Sequence, residues 1–433
     1  MYRALLSASI FILLLSFGEA ADEKAPPDFG NPYNLRLNSP KLTTPKWVGE
    51  AGVEAVVILA IDDLGDNTAK YEQFLRPILN RLKQIDGRAP VSIMANRVDP
   101  LNPQLQLWLK EGLSIECHTL THPCPLLQNH DFQGAADTYF GSVDLIGQIP
   151  GNTPVAFRMP CCDSINSVSP RFFAEIMPRK SPQGGTLTID SSVFCILTPN
   201  DPDLPRELVF DSDGTERFRK YLPFQSFVNT IENYPYPYVV AGTCWEFPCI
   251  VPSDWEAQNV QKPNNPRTLD DLKAALDAVV IKQGVMNLVF HPHGWIKAEQ
   301  IVELVDHATA KHGKKVKFLN FREAQQRLAR SFPDSLLGEN HPDNGERFVD
   351  LDEDGYLDRL VSNDQECSIA LFDPATQSHS RRVLDAKPGT PGALPKIVSN
   401  GQNRGFWAHS RHLWWQNEDT AHLPDLVDRR SFN

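Results

Sequence analysis

The chain has 433 residues, 41% of them hydrophobic and 22% charged, enough for one large domain and a smaller one, a profile that excludes a disordered chain. Its 42 Lys and Arg stand against 54 Asp and Glu, a net charge of −12. No basic block is present to meet a phosphate backbone, so nucleic acid is not an expected partner.

Arg3, an apolar run from Ala4 to Phe17 and then Gly18-Glu19-Ala20-Ala21 form a signal-peptide layout, with cleavage expected near Ala20 and residues 1–20 removed. The apolar run is shorter than the roughly 18 residues of a spanning helix, so no transmembrane segment is expected and the protein is placed in a secreted, periplasmic or otherwise extracytoplasmic setting. Residues 21–50, rich in Pro, Asn and Lys without an apolar period, read as an extended N-terminal arm.

From Val53 the pattern changes. Val56 to Ile61 is a continuous apolar run, as in a strand buried on both faces of a parallel sheet, and Phe74, Leu75, Ile78, Leu79, Leu82 and Ile85 then fall on one helical face. The alternation repeats with a strand at Val91–Met94, a helix at Pro103–Lys110, a strand at Leu113–Cys117 and a helix at Gly134–Ile146. It resumes with a helix opened by a Thr268/Asp271 capping box and reaching Ile281, a strand at Val285–Phe290, a helix carrying Ile301, Leu304, Val305 and Ala308, and a strand at Val316–Leu319. Such alternation implies a parallel α/β fold, an open sheet or a barrel, over residues 51–330. Between about 160 and 253 the pattern fails among Pro, Gly and Asp, and this stretch reads as a long insertion decorating one face. Residues 331–346 read as a linker, and 347–433 as a small β-rich region.

Three buried strands run into metal-binding or acid-base groups: Ile61 into Asp62-Asp63, Cys117 into His118, and Phe290 into His291. Loops at the carboxyl ends of parallel strands converge on one crevice, so these groups are expected to meet. His118-x-x-x-His122 offers two imidazoles to one ion, and one carboxylate completes a three-ligand site that leaves a position for water. Asp62 and Asp63, diverging on an extended backbone, divide between metal coordination and proton acceptance. Cys117, Cys124, Cys161 and Cys162 lie near this site but lack the paired C-x-x-C knuckles of a cysteine zinc centre. In an exported chain the eight cysteines favour disulfides, whose connectivity the sequence does not give.

Asp62-Asp63 after a buried strand, His118-x-x-x-His122, Arg158-Met159-Pro160, Asp254-Trp255 and a strand ending in His291, in that order, resemble the motifs of the polysaccharide deacetylase (NodB-homology, carbohydrate esterase) family over about 51 to 330. The resemblance implies a distorted (β/α) barrel. It also implies Asp62 as catalytic base, Asp63, His118 and His122 as ligands of a divalent transition metal, Zn2+ first and Co2+ as the alternative, and His291 as general acid. Arg158, oriented by Asp254, would set the base, Trp255 would wall the groove, and the substrate would be an N- or O-acetylated polysaccharide or oligosaccharide. Departures from the pattern are Ala60-Ile61 and Leu64 around the acids, and Cys161 where an aromatic residue is usual. The distance from Arg158 to Asp254 is long, which makes Trp245 and Glu246 rival candidates, and His293 competes with His291.

Asp350, Asp352, Asp354 and Asp358, with the Tyr356 carbonyl and Gly355 at the turn, form an oxygen-rich calcium loop. The loop resembles those of FG-GAP/VCBS repeats, of which only one is visible. Two further readings compete with the deacetylase: hydrolysis of another C–N bond, in a cyclic amide or ureide, at the same site, or a calcium-stabilised glycan-binding protein whose deacetylase-like domain is inactive.

Overall fold

The computed structural model describes residues 41–124, 126, 131–162, 172, 176–177, 179–222, 230–240, 244–331, 345–349, 351–352, 358–373 and 378–400, together with the backbone of short strands beyond 400. Its centre is a curled, mostly parallel sheet flanked by helices: the parallel α/β arrangement that the alternating pattern implies, in the distorted (β/α) half-barrel form that the resemblance implies. Chain order gives β1 (Ala55–Leu64), β2 (Val91–Ala95), β3 (Ser114–Cys117), β4 (Ala156–Phe157), β5 (Ile189–Asp190), β6 (Phe194–Ile196), β7 (Thr230–Glu232), β8 (Tyr238–Val240), β9 (Cys244–Glu246), β10 (Cys249–Ile250), β11 (Val285–Phe290) and β12 (Val316–Phe318). In space they run β7-β6-β10-β11-β1-β2-β3-β4-β5-β9-β8, with β12 also on β1 and only the β8–β9 pair antiparallel.

The two-residue period of β1 builds two cores. Val57, Leu59 and Ile61 face the helices α2 (Thr68–Asp86), α7 (Pro266–Ile281) and α8 (Ala298–His312), joining Leu75, Leu79, Leu272, Val279, Ile301 and Leu304. Val56, Ile58 and Ala60 face the concave side, where Trp47, Phe247, Phe321, Ala324 and Leu328 fill the interior. Trp47 belongs to the short helix α1 (Thr44–Val48), which packs on α9 (Phe321–Ser331), and its ring meets Phe247 edge-on at 5.9 Å. The end of the supposed N-terminal arm is therefore core, because one buried Trp and Val48 carry a helix too short to show a period.

The stretch 160–253 is not mere decoration. It supplies β5, β6, β7, β8, β9 and β10 of the main sheet, strands of two or three residues in which alternation has no room to appear. α7 likewise starts earlier than read: Asn265 caps it by accepting from Arg267 N at 3.0 Å and Pro266 takes the first position, while Asp271 points into an ion-pair cluster with Arg217 and Lys220.

The β-rich C-terminal region contains an antiparallel sheet of β13 (Glu346–Val349), β14 (Asp358–Ser362), β15 (Cys367–Asp373) and β16 (Ser378–Asp385) with its own cluster of Leu360, Ile369, Leu371 and Ile397. Of the calcium-loop residues, Asp350, Asp354 and Tyr356 lie outside the described residues. Asp358 is buried and accepts the Leu351 N–H at 2.8 Å, and Asp352 pairs with Arg381 at 3.0 Å. No helix among the described residues is long and apolar enough to cross a membrane.

Candidate metal and acid-base centre

The end of β1 departs from a regular strand. Its register against β2 shifts between Ile61 and Leu64, a bulge at the two acids, and Asp63 sits at φ 69° in the left-handed region. On a regular strand neighbouring side chains point apart; here the bulge turns both carboxylates into the same cavity. Asp62 and Asp63 thus converge rather than diverge, because the strand is bulged where alternation presumes it regular. Thr119 at φ 64° and His122 at φ 53° bend the loop after β3 in the same way, and it is pinned by His122 N to Thr119 Oγ1 (3.1 Å) and by Asn96 Nδ2 to the carbonyls of His118 (2.6 Å) and Thr119 (3.1 Å). Backbone held in such regions costs on the order of 1–3 kcal/mol per residue, offset by the packing around it.

These distortions bring Asp63 Oδ1 to 3.3 Å from His118 Nε2 and 3.0 Å from His122 Nε2. The three ligand atoms all lie within 4.8 Å of one another. His118 Nδ1 is 2.8 Å from the carbonyl oxygen of Arg158, which can only accept, so Nδ1 carries a proton. A neutral ring then aims its Nε2 lone pair at a carboxylate oxygen. His118 Nε2 and Asp63 Oδ1 are both buried without a hydrogen-bond partner. Two orphaned acceptors facing each other fit a cation between them, and an N2O donor set with an oriented imidazole suits Zn2+ or a similar ion. Burial works against the charge of Asp63, but where the imidazoles of His118, His122 and His293 carry protons toward it in place of an ion they outweigh burial and hold the carboxyl well below the usual carboxylate range.

Asp62, also buried, accepts from Arg158 Nη1 at 2.6 Å. Arg158 follows β4 and is fully buried, donating to the Ser191 carbonyl (2.9 Å), Ser191 Oγ (2.8 Å) and Asn287 Oδ1 (3.2 Å). Asn287 is fixed in turn by donating to Ser191 Oγ (2.8 Å) and the Phe247 carbonyl (2.7 Å). Asp254 does something other than orient Arg158: its two oxygens accept the backbone N–H of His291 and His291 Nδ1, both at 2.8 Å. Ser191 and Asn287 do the orienting, and sequence reasoning missed both, although a lone Asn in the apolar strand Val285–Phe290 was a signal. Desolvation of the buried His291 ring lowers its affinity for a proton, yet the Asp254 carboxylate, with Asp62 and Asp63 beyond it, raises the ring to about 9.

The cavity above these groups measures about 220 Å³ and is walled by Phe194, Trp255 and Trp295. Trp255 is where the sequence places it; Trp295, whose ring lies 4.9 Å from His291, was not foreseen. Cys161 also lines the cavity, at φ 60°, and a disulfide to Cys124 ties the loop of His118 and His122 to that of Arg158. The rival candidates resolve differently. Trp245 leaves the cavity for the concave core, because its place on β9 turns it toward the cluster of Ile189 and Phe247. Glu246 is buried beside Asp190, and burial pushes its carboxyl well above the usual range. His293 stacks on His291 and places Nε2 3.0 Å from Asp63 Oδ2, with Lys70 Nζ 3.2 Å from its other nitrogen, so it braces Asp63, while His291 is the ring paired with Asp254.

Fold and site together define a class: an open (β/α) barrel with an N2O donor triad at the carboxyl end of its strands, flanked by a guanidinium-paired acid and a carboxylate-paired imidazole. Among solved structures, the chain is similar to the peptidoglycan deacetylase PdaC from Bacillus subtilis, at 17% identity over 64% of this chain and 94% of that one with a TM-score of 0.32. It is also similar to a putative polysaccharide deacetylase from Mycobacterium smegmatis (14%, 65% and 92%, 0.40) and to Puue allantoinase (12%, 69% and 96%, 0.37). None of these scores reaches one half, and what the site can do follows from its own geometry. No family model and no curated protein matches the sequence, and nothing in the comparisons supports the FG-GAP/VCBS resemblance of the C-terminal region.

Proposed function

We propose that this chain is a secreted, divalent-metal-dependent deacetylase that removes acetyl groups from an N- or O-acetylated polysaccharide. The observation that carries the reading is the convergence of Asp63, His118 and His122 in one cavity, with Asp62 on Arg158 and His291 on Asp254 beside them. An ion held by that triad, Zn2+ by preference with Co2+ as substitute, supplies Lewis acidity for the acyl carbonyl and lowers the pKa of water. Asp62 gives one oxygen to Arg158; the other, 3.9 Å from His118 Nε2, is placed to take a proton from the attacking water. His291, raised to about 9, is protonated at neutral pH and gives its Nε2 proton to the leaving amine or alkoxide. The indole faces of Trp255 and Trp295 suit the apolar face of a sugar ring.

Export rests on the signal-peptide layout of residues 1–20, which lie outside the described residues, and the Cys124–Cys161 disulfide supports an oxidising compartment. Calcium at residues 350–358 is a separate reading from sequence, and a chelator-sensitive melt of the C-terminal region tests it. The same groups suit another C–N bond, in a cyclic amide or ureide, a reading favoured by Cys161 standing in the wall where a deacetylase usually has an aromatic residue. The decisive experiment is acetate release from acetylated chito-oligosaccharides, xylan and peptidoglycan by protein loaded with Zn2+ or Co2+. Activity is expected to vanish on chelation and in Asp62→Asn. Metal-loaded protein inert on all three, yet cleaving small cyclic amides, moves the assignment to the second reading.

A further inference from the structure

Among the described residues a second set of side chains converges as the cavity triad does: Asp277 of α7 with His307 and His312 of α8. His307 Nε2 lies 2.9 Å and His312 Nε2 2.7 Å from the same oxygen, Asp277 Oδ1, while Lys311 Nζ sits 2.8 Å from Oδ2. We propose that Asp277, His307 and His312 form a second divalent transition-metal site, a clamp between α7 and α8 with no part in the reaction.

Position separates it from the cavity. Helices that cross between parallel strands run back toward the strand beginnings, so the carboxyl ends of α7 and α8 lie at the opposite end of the sheet from Asp62, Asp63 and His291. His312 closes α8, and Asp277 lies little more than one turn before the end of α7. Both helix ends present partial negative charge, which favours a cation. The two helices pack together and flank β11, the strand that leads into His291, so an ion here ties the elements before and after that strand.

The donor set is N2O, matching zinc-type ions and unlike the all-oxygen sets of Ca2+ or Mg2+. Ligands about 2.0–2.1 Å from a tetrahedral ion stand about 3.3 Å apart, so the observed 2.7–2.9 Å separations need to open by only about half an ångström. Asp277 is buried while His307 and His312 are partly exposed, which gives a fixed carboxylate, two adjustable rings and an open side for water as fourth ligand. The competing arrangement is metal-free, with each Nε2–H donating to Oδ1. The five-residue spacing of His307 and His312 hides the pair from a sequence search for helical i, i+4 ligands.

Metal-stripped full-length protein is titrated with Co2+, following visible absorption, and the melting temperature is read with and without Zn2+. Wild type is expected to bind two equivalents. His118→Gln retains the equivalent at α7–α8, and His307→Gln/His312→Gln retains the one in the cavity. Glutamine keeps an N–H donor for Asp277, so the double variant preserves the metal-free arrangement while removing the ligands. Zn2+ raises the melting temperature of His118→Gln but not of that variant combined with the double replacement. Should the double variant be poorly folded, His312→Gln alone is expected to weaken the second equivalent at least about tenfold. Lys311→Ala is expected to tighten it roughly fivefold by removing a neighbouring positive charge. Equal stoichiometry and equal zinc-induced stabilisation in wild type and the double variant overturn the proposal. A single equivalent lost in His118→Gln also overturns it while the cavity reading stands; a single equivalent lost only in the double variant upholds it and sinks the cavity reading.

Discussion

Asp254→Asn tests how the His291 ring is held. Asp254 accepts the His291 backbone N–H and its Nδ1–H, each at 2.8 Å, and the ring is raised to about 9 even though burial pulls it down. The rise above the ordinary imidazole value of 6.5 corresponds to roughly 3 kcal/mol of interaction with the charged ring. Asparagine can still accept one of the two bonds but carries no charge, so the proton affinity of His291 is expected to fall by about two pH units. At pH 8 that takes the ring from roughly nine-tenths protonated to a minority, and the basic limb of the kcat profile moves down with it. An ion in the triad lowers both proteins alike, so their difference reads Asp254. The sign also fixes stability: a raised imidazole stabilises the fold fully below about 6.5 and loses that contribution as pH rises through about 9. The variant should therefore lose less stability across that window. Acetate release measured from pH 6 to 10, with histidine NMR titration of metal-free protein, provides the assay. A His291 midpoint within about half a pH unit of wild type refutes the assignment of Asp254 as its partner.

Asn287→Leu leaves the Phe247 carbonyl without its side-chain donor and removes one acceptor from Arg158, and a loss of about 2–4 kcal/mol in denaturant unfolding is expected. Unchanged stability would show that water replaces those bonds. Trp47→Ala should cost about 3–5 kcal/mol if residues 41–50 are core, whereas an exposed arm predicts almost none; urea unfolding decides. Cys124→Ser/Cys161→Ser opens a loop spanning 37 residues, which loop entropy values at about 4 kcal/mol, and thermal melts with and without reductant should merge in the variant alone. A wild-type melt insensitive to reductant argues against the bridge.

The long strands and helices were legible because Val56–Ile61 and Val285–Phe290 are unbroken apolar runs and the helices between them have clear faces. The triad was legible because Asp63, His118 and His122 follow such strands. What escaped has a common physical cause: β5, β6 and β10 are too short to display a period, and α1 is one turn with one Trp. Ser191 and Asn287 meet Arg158 rather than lining the cavity, so no motif names them, and Asp254 has another partner than expected because spacing along a chain does not say which of two nearby basic groups a carboxylate meets. The bulge at Asp62-Asp63 could not be read at all, since alternation presumes a regular strand.

That bulge has an evolutionary corollary. A single peptide unit joins the two carboxylates, so the backbone bounds how far apart they can stand, while one left-handed residue, the Arg158 guanidinium and the surrounding imidazoles fix where within that range they sit. Substitutions elsewhere can shift either carboxylate through Arg158 or His293, but only within that range. The walls of Phe194, Trp255, Trp295 and Cys161 are joined to that pair by no such short covalent path, so a change of cavity shape there leaves the two acids where the bulge puts them.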